Sequence, residues 1–121
     1  MVLFILLFLA HVIDDFVLQP VCLSKLKQRD WWKQHEEGCK DMYKHDYLMA
    51  LAIHAFSWSA WIALICSFYT DTITVTLLFI FNGFIHFIVD NLKANKKAIN
   101  LIQDQLIHLV QLAVTTILVL L

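Results

Sequence analysis

The chain alternates long apolar runs with short polar, basic ones. Four apolar stretches, at about 1–20, 47–69, 72–92 and 99–121, approach the roughly 20 residues an α-helix needs to cross a hydrocarbon core. None shows the ten-residue alternation of a lipid-facing barrel strand, and an open sheet edge finds no hydrogen-bonding partner in lipid. The pattern therefore predicts an all-α membrane protein, a single transmembrane domain over 1–121 built as a bundle of four spanning helices. Between spans one and two, over about 21–46, apolar Leu23, Leu26, Trp31 and Trp32 alternate with Lys, Arg, Gln and Glu. This predicts an amphipathic helix at headgroup level, with the indoles as interfacial anchors.

Composition narrows the class. Of 121 residues 60% are hydrophobic and 16% charged, with a mean hydropathy of +0.70, whereas soluble domains carry about a quarter charged residues. A soluble monomer and a disordered chain are both excluded, and 2 Gly with 1 Pro leave no linker-like segment. The net charge of -1 points to no nucleic-acid partner. Charge distribution is more informative. Lys25, Lys27, Arg29, Lys33, Lys40 and Lys44 fall between spans one and two, and Lys93, Lys96 and Lys97 between spans three and four. The remaining connection carries only Asp71. The positive-inside rule then predicts an inner-membrane protein with both basic loops cytoplasmic and both termini outside. The first run lacks a basic n-region and a small-x-small cleavage site, so a span is expected there rather than a cleaved signal. Cys22, Cys39 and Cys66 make an odd count without C-x-x-C spacing, and two of them lie in a loop assigned to the reducing cytoplasm; no disulfide is expected. His35 and Cys39, one turn apart, fit a solvated surface better than a metal pair.

Ionisable groups inside the spans cost roughly 2.5–3.5 kcal/mol each at a helix centre, so they need a purpose. Span one carries His11, Asp15 and Gln19; span two His54 and Ser57; span three Asn82, His86, Asp90 and Lys93; span four Asp104, His108 and Gln111. A rise of 1.5 Å per residue puts the four histidines at about 10–13 Å from the cytoplasmic ends, with Asp15, Asp90 and Asp104 at about 5–7 Å. Span one reads His then Asp, span four Asp then His, as antiparallel helices require if the layers are to coincide. Asp14 should point about 100 degrees away from Asp15. Asn82 and Gly83 suit close helix packing, and Lys93 is expected to pair with Asp90 one turn away.

Imidazoles and carboxylates in facing layers are the ligand types of a Zn, Mn or Fe site in a helical bundle. The expected metal ligands are His11, Asp15, His54, His86, Asp90, Asp104 and His108, holding one or two divalent ions, with Zn foremost. A metal-dependent hydrolase is the leading expectation: bound water is activated, Asp15, Asp90 or Asp104 takes its proton, and Gln19, Lys93 and Gln105 contact substrate. A site below the headgroups suits a membrane lipid or other amphiphile. Two alternatives use the same residues. One is a divalent-cation or proton transporter, although the outer halves of the spans are nearly bare of polar groups. The other is a structural or partner-binding subunit whose buried His/Asp hydrogen bonds specify helix pairing. The small interior of a four-span protein also makes a homodimer a reasonable expectation.

These motifs resemble a family of short bacterial and phage membrane proteins known as a domain of unknown function. Its pattern, His-x-x-x-Asp-Phe-x-x-Gln, is met by His11, Asp15, Phe16 and Gln19. The following His-x-x-x-Asp-x-x-Lys is met by His86, Asp90 and Lys93, and Asp-Gln-x-x-His by Asp104, Gln105 and His108. The resemblance spans nearly the whole chain and implies a His/Asp membrane bundle without implying a reaction. The first basic loop departs from it in being longer and richer in Trp and charge. The layout is also similar to that of membrane-embedded metal-dependent hydrolases, an analogy of arrangement alone.

Overall fold

The structure, a computed structural model, describes residues 1–35 and 43–121. It is all-helical among the described residues. In chain order come α1 (Val2–Ile13), a π-helical turn (Asp14–Leu18), α2 (Val21–Leu26), α3 (Arg29–His35), α4 (Asp46–Cys66), α5 (Thr72–Ala94) and α6 (Leu101–Leu120).

Local sequence explains the boundaries. Asp71 caps α5, its carboxylate accepting the Ile73 and Thr74 N–H groups at 2.9 and 3.1 Å. Asn100 and Gln103 form a reciprocal capping box on α6, at 2.9 and 3.0 Å. Lys97, in the left-handed region at φ 51°, breaks the chain after α5, and Ala98 N–H reaches back to the Leu92 carbonyl at 2.9 Å.

Three helices, α4, α5 and α6, are long and apolar enough to cross a membrane. The first expected span is broken: 12 α-helical residues are followed by 5 in a π turn. At Gln19 the backbone becomes extended (φ -71°, ψ 108°), as favoured ahead of Pro20. The amphipathic segment is likewise two short helices rather than one, and its last part, with Cys39, lies outside the described residues.

The interior is inverted relative to a soluble protein. Buried polar residues match buried apolar ones in number among the described residues, while Phe8, Val17, Phe81, Phe84 and Val110 are turned outward. Burying the polar groups and presenting the apolar ones is the economical arrangement in lipid, and with the three long helices it marks a membrane protein. One end of the bundle is apolar, closed by Leu3, Leu7, Trp58, Ile62, Cys66, Leu78, Leu112 and Val119. Helices α4 and α5 approach closely at Gly83, where a Cβ would stand 2.6 Å from the Phe56 ring. Ser59 Oγ donates to the Phe79 carbonyl across the same seam at 2.6 Å.

Candidate metal centre

The structure brings together the seven residues singled out as ligands and adds three more. His86 lies at the middle. Its ring stacks on His108 (centroids 4.3 Å) and on Trp58 (4.4 Å), and its Nε2 is 3.2 Å from His54 Nε2. The carboxylates stand around this column. Asp15 Oδ1 is 3.3 Å from His54 Nε2 and 3.9 Å from His86 Nε2. Asp90 Oδ1 lies 3.8 Å from both His86 Nε2 and His108 Nε2, and its Oδ2 is 3.5 Å from His54 Nε2. Asp104 Oδ1 is 3.5 Å from His108 Nε2. Ligand atoms held at about 2.0–2.2 Å around one tetrahedral ion stand roughly 3.3–3.6 Å apart, close to these separations. Four overlapping triads meet the geometry of a metal shell: Asp15, His86 and His108; His54, His86 and Asp90; Asp14, Asp15 and His54; Asp90, Asp104 and His108.

Hydrogen bonding separates ligand candidates from supporting residues. The Trp58 indole N–H donates to His11 Nδ1 at 3.0 Å, so the proton of a neutral His11 ring sits on Nε2, which donates to Gln105 Oε1 at 3.1 Å. Gln105 Nε2 donates in turn to Asp104 Oδ2 at 3.0 Å, and a carboxylate can only accept. Both nitrogens of His11 are thus engaged, and it orients Gln105 rather than offering a free ligand atom. By contrast Asp15 Oδ1, Asp104 Oδ1, His86 Nδ1 and His108 Nε2 are buried with no hydrogen-bond partner, which is costly unless something else satisfies them.

Two lysines enter the site. Lys27 is buried, donating to Asp90 Oδ2 at 2.7 Å and to Gln19 Oε1 at 2.9 Å. Lys93 donates to Asp104 Oδ2 at 2.6 Å, not to Asp90 as its spacing suggested; α6 carries Asp104 within reach, and Lys27 already holds Asp90. Asp14 is buried with Oδ2 at 3.8 Å from His54 Nδ1. Asp14 and Asp15 open the π turn, which only narrows the splay of neighbouring side chains, and His54 meets both, its Nδ1 facing Asp14 and its Nε2 facing Asp15. With Asp15, Asp90 and Asp104, Asp14 makes four carboxylates against the two ammonium groups.

Sequence reasoning missed Lys27 and Trp58. Trp58 follows His54 by four residues and shares its face, a usable signal. Nothing in the sequence distinguishes Lys27 from its solvated neighbours. The loop is fastened there by Asn95, which accepts from Arg29 N–H at 2.6 Å and donates to the Lys27 carbonyl at 3.0 Å. Towards the apolar end, Gln111 Nε2 and Thr115 Oγ1 donate to Asn82 Oδ1 at 2.9 and 3.1 Å, so Asn82 is a hydrogen-bonding hub as well as a packing residue.

A pocket of about 430 Å³ opens over the cluster from the basic side, bordered by Asp15, Gln19, Lys27, Asp90, Lys93 and Gln105. The three residues expected to contact substrate, Gln19, Lys93 and Gln105, all border it.

A bundle of helices that buries a His/Asp cluster behind a basic rim defines the class. Over residues 3–121 the chain matches the family described as protein of unknown function (DUF3307), and it belongs to that family. No curated protein and no solved structure matches it.

Proposed function

We propose that the protein is a membrane-embedded metalloenzyme that holds a divalent ion, Zn, Mn or Fe, among His54, His86, His108, Asp15, Asp90 and Asp104. The observation that carries this reading is the set of buried, unpartnered ligand atoms, Asp15 Oδ1, Asp104 Oδ1 and His108 Nε2 among them, in a cluster with four carboxylates beside two ammonium groups. When bound, such an ion polarises an ester or phosphoester oxygen and lowers the pKa of water towards neutrality. The chain's own groups supply the rest. The proton of water goes to a carboxylate that does not ligate the ion, and Asp15, on the pocket border, is placed for this when His54, His86, His108, Asp90 and Asp104 supply the ligands. Gln19, Lys93 and Gln105 orient substrate at the rim, while Asp104 is held by Lys93 and Gln105. In this reading Val2–Leu18 is a fourth, short span, and the basic loops face the cytoplasm. With the native cysteines replaced, Lys97→Cys should be modified from the cytoplasmic side and Thr70→Cys from the other.

The deciding experiment is elemental mass spectrometry of protein purified in mild detergent without a His tag, beside a His86→Ala, His108→Ala double variant. Stoichiometric metal that disappears in the variant supports the centre. Folded wild type that takes up no ion after incubation with Zn, Mn and Fe refutes it. A second reading, a cation or proton pathway, draws on Asn82, Gln111 and Thr115, which extend the polar groups beyond the histidines. The apolar plug of Leu3, Leu7, Ile62 and Leu78 stands against it, and ion flux in reconstituted vesicles would favour it.

A further inference from the structure

Two pockets adjoin on the side of the bundle between α1 and α4, and the basic pocket over the cluster lies beyond Gln19. The first is an apolar groove of about 370 Å³ bordered by Leu6, Leu9, Ala10, Ile13, Leu18 and Trp61. Leu18 and Trp61 also wall a smaller chamber of about 140 Å³, whose other walls include Asp14, His54 and Gln19. Gln19 in turn borders the basic pocket over the cluster. The groove and the chamber thus share walls, and the Gln19 side chain, held by Lys27, stands between the chamber and the pocket with the candidate metal ligands. This arrangement exists because α1 stops: helical structure ends at Leu18, Gln19 is extended, and the chain turns off at Pro20.

We propose that the cluster's ligand is a single-chain amphiphile with an anionic head, which enters sideways between α1 and α4; this rests on the metal reading above. Its chain lies in the groove and its head at Lys27, Lys93 and Lys97 on the pocket rim. The donors fit an anion. An ammonium group has three N–H donors. Among the described contacts Lys27 spends two, on Gln19 and Asp90, and Lys93 spends one, on Asp104. Unspent donors therefore face a pocket that also contains Asp15 and Asp90. The groove fits a chain by size, since 370 Å³ is at the low end of small-molecule sites, with space for one chain rather than two. Lipid tails are as apolar as the groove's leucines, so the chain gains little from leaving the bilayer. Recognition must come from the head, and the groove sets the depth at which the head is presented.

Native mass spectrometry of full-length protein released from nanodiscs of zwitterionic lipid reads metal and amphiphile on the same molecule. The probes are dodecyl phosphate, uncharged dodecyl maltoside and inorganic phosphate. Dodecyl phosphate should bind one per chain, at least about tenfold more tightly than either control, a gap of about 1.4 kcal/mol. Ala10→Phe, which fills the groove, and Leu6→Trp, at its lipid-facing rim, should each weaken that binding about tenfold while metal occupancy stays unchanged. Lys97→Gln should weaken it without touching the groove. Equal binding of the maltoside overturns the anionic head. Equal binding of inorganic phosphate, or groove variants without effect, overturns the chain site and identifies a soluble phosphate ligand. Protein that retains metal but binds no amphiphile sinks this inference alone, whereas protein without metal sinks the metal reading and this one with it.

Discussion

Lys27→Met would separate the two roles a buried ammonium group can have beside a metal site. In the structure Lys27 neutralises one of four clustered carboxylates, at 2.7 Å from Asp90 Oδ2 and shielded from solvent. Met preserves most of the volume and removes the charge, leaving Asp90 without its ammonium partner. Breaking a buried pair by deleting one partner costs about 3–5 kcal/mol. For a chain of this length that corresponds to a fall in Tm of roughly 10–20 °C in metal-free protein. A divalent cation replaces the missing partner, so saturating metal should restore more than half of the loss. By linkage the recovered stability equals tighter metal binding, and a recovery of about 2 kcal/mol is about a thirtyfold lower Kd. The assay is thermal unfolding in detergent followed by circular dichroism, with and without Zn, together with a competitive chelator titration. A Lys27→Met protein as stable as wild type, or one that metal fails to rescue, would refute the reasoning.

Other outcomes follow from the same geometry. Gly83→Ala should destabilise by about 1–3 kcal/mol through overpacking against Phe56, with Gly83→Leu worse, as thermal melts would show. Gln105→Leu strands His11 Nε2, while Asp104 Oδ2 keeps Lys93, and should cost about 1–3 kcal/mol for the buried polar group left unmatched; if melting is unchanged, the chain of hydrogen bonds contributes nothing. The Thr74 hydroxyl and N–H, with that of Ile73, hold the Asp71 carboxyl below its ordinary value. A depressed carboxyl stabilises above its unfolded pKa, and that contribution is lost as pH falls through the folded value. The protection of the Ile73 and Thr74 amides, taken relative to their intrinsic exchange rates, should therefore fall on acidification in wild type and show no such step in Asp71→Asn.

Much of the site was legible because antiparallel helices impose a mirror on the sequence. The reversal from His11 and Asp15 to Asp104 and His108 fixes a common depth, and the structure gathers those residues with His54, His86 and Asp90. What was not legible depends on departures from regular helix and on long-range contacts. Asp14 and Asp15 diverge along a helix, yet His54 meets both, one at each ring nitrogen, a contact from another helix that spacing within the first span does not reveal. Lys27 reaches the interior only because Asn95, distant in sequence, fastens the loop around it. The first apolar run has the composition of a span, yet Pro20 and the extended Gln19 cut it short, a limit composition cannot express. The three long helices were readable for the opposite reason, since length and hydropathy alone define them.

The hydrogen bonds from Trp58 through His11 and Gln105 to Asp104 all run in one direction, each donor aimed at the same carboxylate. Electron density along such a relay shifts together, so the charge on Asp104 is felt at an indole on another helix. Trp58, packed against His86 and shut off from water, is thereby a built-in optical gauge. A cation arriving at Asp104 withdraws charge from the far end of the relay, and with Trp31, Trp32 and Trp61 replaced by Phe the emission of Trp58 should register its arrival without any added label.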